Sequence, residues 1–139
     1  MDAEIAVDPL ILAEQRLEGG AVAALTGQGM QGIPVSGQDG DHAALNRVAK
    51  GTQTVSVWKD ARELGKAAGE IAVALAGGSK MSEVDGAAEW DSPAGTTLWA
   101  KFLAPMPITR DNLGAVVDAG WIEKDALCQG VSGGPAPCN

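Results

Sequence analysis

Residues 33–59 read IPVSGQDGDHAALNRVAKGTQTVSVWK, and this stretch decides the fold. The apolar run Ile33–Gly37 predicts a short buried strand, and the Thr- and Val-rich run Thr52–Lys59 predicts a second one. Between them, His42–Lys50 is predicted to be a helix because its apolar residues share one face, and Gly51 stops it. Strand, helix and strand in this order indicate a parallel βαβ unit.

The flanking sequence extends this alternation in both directions. Pro9–Gln28 has apolar residues at helical spacing. After the βαβ unit, Asp60 and Glu63 have the spacing of a capping box and begin a helix from about Ala61 to Leu75. The remaining predictions are an irregular ribbon over Lys80–Gly95, a strand over Thr97–Leu103, an extended link at Pro105 and Pro107, and a helix that Thr109 caps and Gly120 ends. The whole pattern predicts a three-layer α/β fold with a parallel sheet, in which ligands bind at the carboxyl ends of the strands.

The charge balance and the apolar pattern exclude several classes of partner. The formal net charge is −8 and the 10 Lys and Arg residues are scattered, so nucleic acid is not an expected partner. No apolar segment approaches the length of a membrane span, so membrane insertion is not expected either. The first residues lack the pattern of a secretory signal peptide, which predicts a cytoplasmic chain unless it is a mature product or a fragment.

The two cysteines, Cys128 and Cys138, bracket a Gly/Pro-rich segment that can fold back on itself. A disulfide between them would suit an oxidising compartment and would stabilise the fold by roughly 2.5–3 kcal/mol. Two unrelated free thiols are the alternative, since two cysteines alone do not define a pairing.

Polar residues stand at the ends of both central strands. Asp39 follows the first predicted strand and Lys59 ends the second. Such a carboxylate and ammonium can form charge-assisted hydrogen bonds with hydroxyl groups. Alternatively, Asp39 or Asp41 caps the following helix and Lys59 is a solvated strand end. Gln38 either helps through its amide or completes the turn. Trp58 points away from its neighbour Lys59 and is predicted to pack in the core.

Catalytic and metal-binding patterns are missing from the sequence. It contains no Gly-x-Ser-x-Gly elbow, no phosphate loop and no Cys–His pair in a suitable context. His42 with Asp39 and Asp41 lacks the ligand set of a structural zinc site. We therefore expect no metal, no cofactor and no enzymatic activity.

Several stretches resemble periplasmic monosaccharide-binding proteins of the xylose-binding type, the receptors of ABC sugar importers. They match in spacing and in residue type, over about Gly19 to Leu127, and comprise Val35–Asp41, Gly51–Val55, Trp58–Lys59, Glu70–Leu75, Ile108–Leu113 and Ala119–Trp121. The resemblance implies a type I fold, in which two α/β lobes joined by a hinge clamp a sugar. This chain would supply only the C-terminal part. The resemblance also implies a periplasmic location and an ABC permease as partner.

By this resemblance, Asp39 and Lys59 are the retained sugar ligands, with Gln38 as a further candidate. A family Asn that contacts sugar is replaced by Glu14. We therefore expect a divergent segment over residues 1–18, the C-terminal part of a sugar-binding fold over 19–127, and a Gly/Pro-rich tail over 128–139.

Alternative functions follow from the same resemblance. Repressors of the LacI type use a similar two-lobed domain, but the helix-turn-helix that such a regulator needs is not seen here. A truncated, non-binding remnant or a self-associating structural module is the stronger alternative, because a half-made lobe exposes apolar surface. The missing N-terminal lobe, or a second copy of the chain, would then be the partner.

Overall fold

The computed structural model describes residues 10–11 and 15–139, with side chains from Leu17 onward. Its helices and strands are β1 (Leu10–Ile11), α1 (Gln15–Gly27), β2 (Val35–Gln38), α2 (His42–Lys50), β3 (Val55–Trp58), α3 (Ala61–Ala76), β4 (Ala88–Asp91), β5 (Thr97–Ala100), β6 (Met106–Ile108), α4 (Gly114–Asp118) and α5 (Lys124–Leu127). Contacts divide the chain into two compact units. The first comprises the described residues up to Lys59 together with Pro105–Asn139, and the second comprises Asp60–Ala104.

A four-stranded sheet of order β1-β2-β3-β6 forms the centre of the first unit. The strands β1, β2 and β3 run parallel, in a register that places Gly37 beside Ser56 and Gln38 beside Val57. The last strand, β6, pairs antiparallel with β3, with Pro107 beside Val57. The predicted extended link is therefore a short edge strand, a position that tolerates proline. The α/β class with a parallel sheet is confirmed, and one antiparallel edge is added to it.

The helix predicted over Pro9–Gln28 is wrong at its start. Leu10–Ile11 forms β1 instead, and α1 begins only at Gln15. Pairing with β2 gives the backbone of this apolar pair hydrogen-bond partners outside a helix. The helix α1 then continues through Glu18 and Gly19, so the predicted division between residues 18 and 19 falls inside a helix.

The helix α2 has the predicted bounds and a capped start. Asp41 Oδ1 accepts from the N–H groups of Ala43 and Ala44 at 2.9 and 3.1 Å. Gly51 ends the helix in the left-handed conformation, at φ 80°. The apolar face of α2 joins one hydrophobic core with β3, β6 and the last two helices, whose buried members are Leu45, Val48, Ala49, Trp58, Ile108, Leu113, Val116, Ile122 and Leu127.

The C-terminal segment is tied to this core. Cys128 and Cys138 form a disulfide with an S–S distance of 2.00 Å and a Cα–Cα distance of 5.3 Å. Both cysteines and Val131 pack against the core, so the residues predicted as a tail belong to the first unit. The helix predicted after Thr109 begins later, at Gly114, without a side-chain cap.

The second unit contains α3 and a β-hairpin. Asp60 begins α3 by accepting from the Arg62 N–H at 2.9 Å, and no residue of α3 is buried. The strands β4 and β5 pair antiparallel, so the irregular ribbon predicted over Lys80–Gly95 is wrong at Ala88–Asp91. Every position of β4 is exposed, which removes the apolar alternation that marks a strand. The strand predicted over Thr97–Leu103 is confirmed at Thr97–Ala100. Across the described ranges, the helices are too short or too polar to cross a membrane.

Candidate functional site

The three predicted ligands meet at one edge of the sheet. Gln38 ends β2, Asp39 follows it, and Lys59 follows β3. Because β2 and β3 are parallel neighbours, their carboxyl ends share an edge. Lys59 Nζ lies 2.6 Å from Asp39 Oδ1 and donates to Gln38 Oε1 at 3.0 Å. The side chains of Lys59 and Asp39 remain 40% and 38% exposed, so a ligand can reach both. We call these three residues the polar cluster.

A tight turn fixes the position of the Asp39 carboxylate. Asp39 and Gly40 adopt the left-handed conformation, with φ of 70° and 65°, which Asp and Gly tolerate better than most residues. The Asp39 N–H donates to Val57 O at 2.8 Å, and the Gly40 N–H donates to Ser56 Oγ at 3.2 Å. A Cβ at Gly40 would lie 2.7 Å from Trp58 Cδ1, so a larger residue would displace the indole. The turn is therefore held by β3 without a ligand.

The capping alternative for Asp39 is wrong, because Asp41 performs that role. The Asp39 carboxylate is paired with Lys59 instead. His42, which was considered for a metal, places Nε2 2.9 Å from the carbonyl oxygen of Trp121. Within the described residues, no group of three His, Cys, Asp or Glu side chains could hold a metal ion.

Trp58 is a packing residue, as strand alternation predicts. It is 8% exposed and belongs to the core. Its ring centroid lies 5.7 Å from that of Trp121, whose Nε1 donates to Gly40 O at 2.6 Å. The two indoles therefore support the turn that carries Asp39.

A buried carboxylate contacts the backbone of the same strand. Glu18, in the first turn of α1, is fully buried, and a Cβ at Gly37 would collide with its carboxylate. Glu18 Oε1 lies 3.5 Å from Arg47 Nη2, and Arg47 Nε donates to Gln53 Oε1 at 2.9 Å. Burial, and after it the negative charge of Asp41, raise the pKa of Glu18 against the opposing effect of Arg47.

Sequence reasoning missed Glu18 because it placed this residue in a divergent segment. The available signal was Gly37, since a glycine inside a strand often marks the close approach of another group. Gly37 directly precedes Gln38, so Glu18 contacts the backbone that carries the polar cluster. Glu14, the other acidic residue considered in this region, lies outside the described residues.

The polar cluster presents hydrogen-bonding groups that are complementary to neighbouring hydroxyl groups. The Asp39 carboxylate accepts hydrogen bonds and the Lys59 ammonium donates them, while the Gln38 amide can do either. Hydrogen bonds to charged groups are shorter and stronger than those between neutral groups. A polyol with adjacent hydroxyls therefore matches the chemistry of this edge.

Comparison with known proteins gives consistent matches. Residues 3–80 match the family described as "Periplasmic binding protein domain", and this range includes the polar cluster and the segment before Gly19. The chain is 32% identical over 123 residues to the D-xylose-binding periplasmic protein of Haemophilus influenzae, covering 87% of this chain and 36% of that protein. It is 31% identical over 128 residues to the D-xylose-binding periplasmic protein of Escherichia coli, covering 86% and 36%. The chain thus spans about a third of the length of these curated relatives.

Proposed function

Because the chain belongs to the periplasmic binding protein domain family, we propose that it contributes a binding surface for a xylose-like monosaccharide in ABC-type sugar import. The observation that carries this proposal is the meeting of Asp39, Lys59 and Gln38 at the carboxyl edge of the sheet. In this proposal Asp39 accepts from two neighbouring hydroxyls, Lys59 donates to a hydroxyl or the ring oxygen, and Gln38 assists.

The structure supports this role because the charged groups of Asp39 and Lys59 remain accessible to a ligand. Asp39 does not cap α2, and among the described side chains its carboxylate pairs only with Lys59, which is itself partly exposed. A sugar hydroxyl can therefore insert between the two charges without breaking secondary structure. The names of the two relatives, which state D-xylose binding and a periplasmic location, support the ligand class and the compartment.

The same proposal includes a non-catalytic role, with an ABC permease as the protein partner and no cofactor. The sequence contains no phosphate loop. Binding followed by release is sufficient for a transport receptor. The match to a binding-protein family supports this assignment.

The expected affinity of this chain alone is low. The polar cluster is open to water, so each of its hydrogen bonds contributes only about 0.5–1.5 kcal/mol net. Two or three such contacts must offset several kcal/mol of lost translational and rotational freedom. The expected dissociation constant is therefore on the order of millimolar or weaker.

Titration of the ¹⁵N-labelled chain with D-xylose tests the proposal. Sugar is added to about 50 mM, well above a millimolar dissociation constant. Amide shifts should concentrate at Gln38, Asp39 and Lys59 and weaken in the double variant Asp39→Ala/Lys59→Ala. The charge-matched control Asp125→Ala/Lys124→Ala, on exposed positions of α5, should leave them unchanged. Shifts that spare the polar cluster, or that survive its removal, would contradict the proposal.

A second candidate function is self-association, which the exposed apolar side chains of the second unit favour. Val73 on α3 is 75% exposed, and Trp99 on β5 is 42% exposed. Covering such surface with a second copy would be favourable. Sedimentation velocity over about a hundredfold concentration range should then show a dimer that Val73→Glu with Trp99→Ser removes. Leu17→Glu is the control, at a position of the first unit whose exposure of 54% lies between those of Val73 and Trp99. A monomer throughout would eliminate this alternative.

A further inference from the structure

A polar cavity of about 220 Å³ opens on the first unit, away from the polar cluster. Its lining consists of Ala49, Lys50, Arg110, Gly130, Val131 and Ser132. The helix α2 starts at the carboxyl edge of the sheet and ends at Lys50, where the chain turns back towards the amino end of β3. The cavity therefore lies towards the opposite edge from Asp39 and Lys59.

Two cations line this cavity without a counter-charge. Within residues 17–139, neither Lys50 nor Arg110 has a carboxylate oxygen within 4.0 Å, and neither side chain takes part in a recorded hydrogen bond. The chain has only 10 basic residues against 18 acidic ones. Other cations of the described residues, such as Lys101 and Lys124, also lack an ion pair, but Lys50 and Arg110 are distinguished by lining the same cavity.

The C-terminus of α2 explains only one of these charges. Lys50 belongs to the last turn of the helix, where a cation complements the exposed carbonyl groups. Arg110 comes from a separate segment after β6, so its presence beside the same helix end is not explained in this way. Two like charges that line one cavity repel each other, and an anion bound between them would offset this repulsion.

Two glycine turns and a disulfide shape the cavity. A Cβ at Gly130 would lie 3.6 Å from Lys50 Nζ, and a Cβ at Gly51 would lie 3.5 Å from Arg110 Nη1. Both glycines adopt the left-handed conformation, with φ of 69° and 80°, and the cation heads lie beside these two turns. The disulfide Cys128–Cys138 closes the loop that carries Gly130 and Ser132. This loop forms one wall of the cavity, and the bridge restrains it. The backbone of this wall is therefore fixed before any ligand binds.

We propose that this cavity binds a small tetrahedral oxyanion, of the phosphate or sulfate class. The planar guanidinium of Arg110 can donate two parallel hydrogen bonds to such an anion, while Lys50 supplies a point charge and Ser132 a hydroxyl donor. Either a free inorganic ion or the phosphate group of a larger metabolite carries this chemistry. The proposal is independent of sugar binding, because it uses none of the residues of the polar cluster.

The test is titration of the intact, disulfide-bonded chain with inorganic phosphate and sulfate at constant ionic strength, followed by amide shifts. Saturable shifts are expected at Lys50, Arg110 and Ser132, with Lys50→Ala and Arg110→Ala each weakening binding about tenfold. Lys124→Ala, which removes an exposed cation elsewhere in the first unit, should have no effect, and Asp39→Ala should leave phosphate binding intact. Glucose 6-phosphate distinguishes the sources, since equal or tighter binding than inorganic phosphate would indicate a phosphorylated metabolite.

Shifts that rise linearly with salt and are reproduced by chloride would overturn the proposal, as would acetate binding as tightly as phosphate. Because Lys50 and Arg110 are both exposed, their replacement should leave the fold intact, which the dispersion of the same spectra verifies. Ser132→Ala provides a milder variant, for which a loss of up to about fivefold is expected.

Discussion

Lys59 Nζ and Asp39 Oδ1 lie 2.6 Å apart, although the two residues follow different strands. Both side chains are more than a third exposed, so water screens the pair and its net contribution to stability is roughly 0–1 kcal/mol. A ligand that replaces one of these contacts by its own hydroxyl groups therefore disrupts little. In the proposed binding role, the ion pair holds the two side chains together at the edge of the sheet until a hydroxyl-bearing ligand binds.

Single replacements of these two residues should have small effects here and large effects in a full-length relative. In this chain, Asp39→Ala and Lys59→Ala should each weaken xylose binding only a few-fold, because the contacts compete with water. At the aligned positions of a full-length relative, the same changes should cost roughly 2–5 kcal/mol, because a buried charge loses its partner. Calorimetric titration measures both, and micromolar binding by this chain alone would refute the first half of the prediction.

Glu18→Gln should make stability less dependent on pH. The pKa of Glu18 is raised on folding, so the folded state binds this proton more tightly than the unfolded state does. Stability from this group is present below the unfolded value near 4.5 and is lost as pH rises through the higher folded pKa. A neutral amide avoids that loss and should raise the unfolding free energy at pH 7 by about 1–3 kcal/mol. Urea unfolding at pH 4 and pH 7 compares the two proteins, with Glu123→Gln, an exposed position, as the control.

Gly37→Ala should destabilise the fold. The added methyl group would collide with the Glu18 carboxylate, and overpacking in a filled interior typically costs about 1–3 kcal/mol. Gly20→Ala, a helical position with no heavy atom within 4 Å of the new Cβ, should instead stabilise by up to about 1 kcal/mol. Thermal unfolding distinguishes the two. Combining Gly37→Ala with Glu18→Ala should recover part of the loss, whereas additive losses would place the collision elsewhere.

Reduction of Cys128–Cys138 should lower stability without unfolding the chain. The bridge spans a sequence separation of 10 residues, and closing a loop of this size stabilises by roughly 2.5–3 kcal/mol in the chain-entropy model. Denaturant unfolding with and without reductant measures this difference. Mass spectrometry should show a gain of two hydrogen atoms on reduction and alkylation of both thiols only afterwards, whereas thiols that label without reductant would contradict the bridge.

Local patterns and family resemblance predicted the strand ends and α2, since burial and capping there depend on neighbours in sequence. Asp39 and Lys59 were therefore located correctly at the carboxyl edge. The burial of Glu18 depends on how α1 packs against Gly37, a contact between residues 19 positions apart that no local pattern encodes. The strand β4 was missed for a different reason, because a strand that is exposed at every position carries no alternation of apolar residues, whereas β5 lies within the strand predicted over Thr97–Leu103.

Pro107 also affects how this sheet meets other molecules. It lies in the middle of β6, the outermost strand on that side, and carries no N–H group. A neighbouring chain that tried to add a strand there would find a donor missing from a segment of three residues. Edge-to-edge pairing of sheets into ordered aggregates is therefore disfavoured at this edge. This matters for a chain whose second unit exposes Trp90 and Trp99, since exposed aromatic side chains favour association.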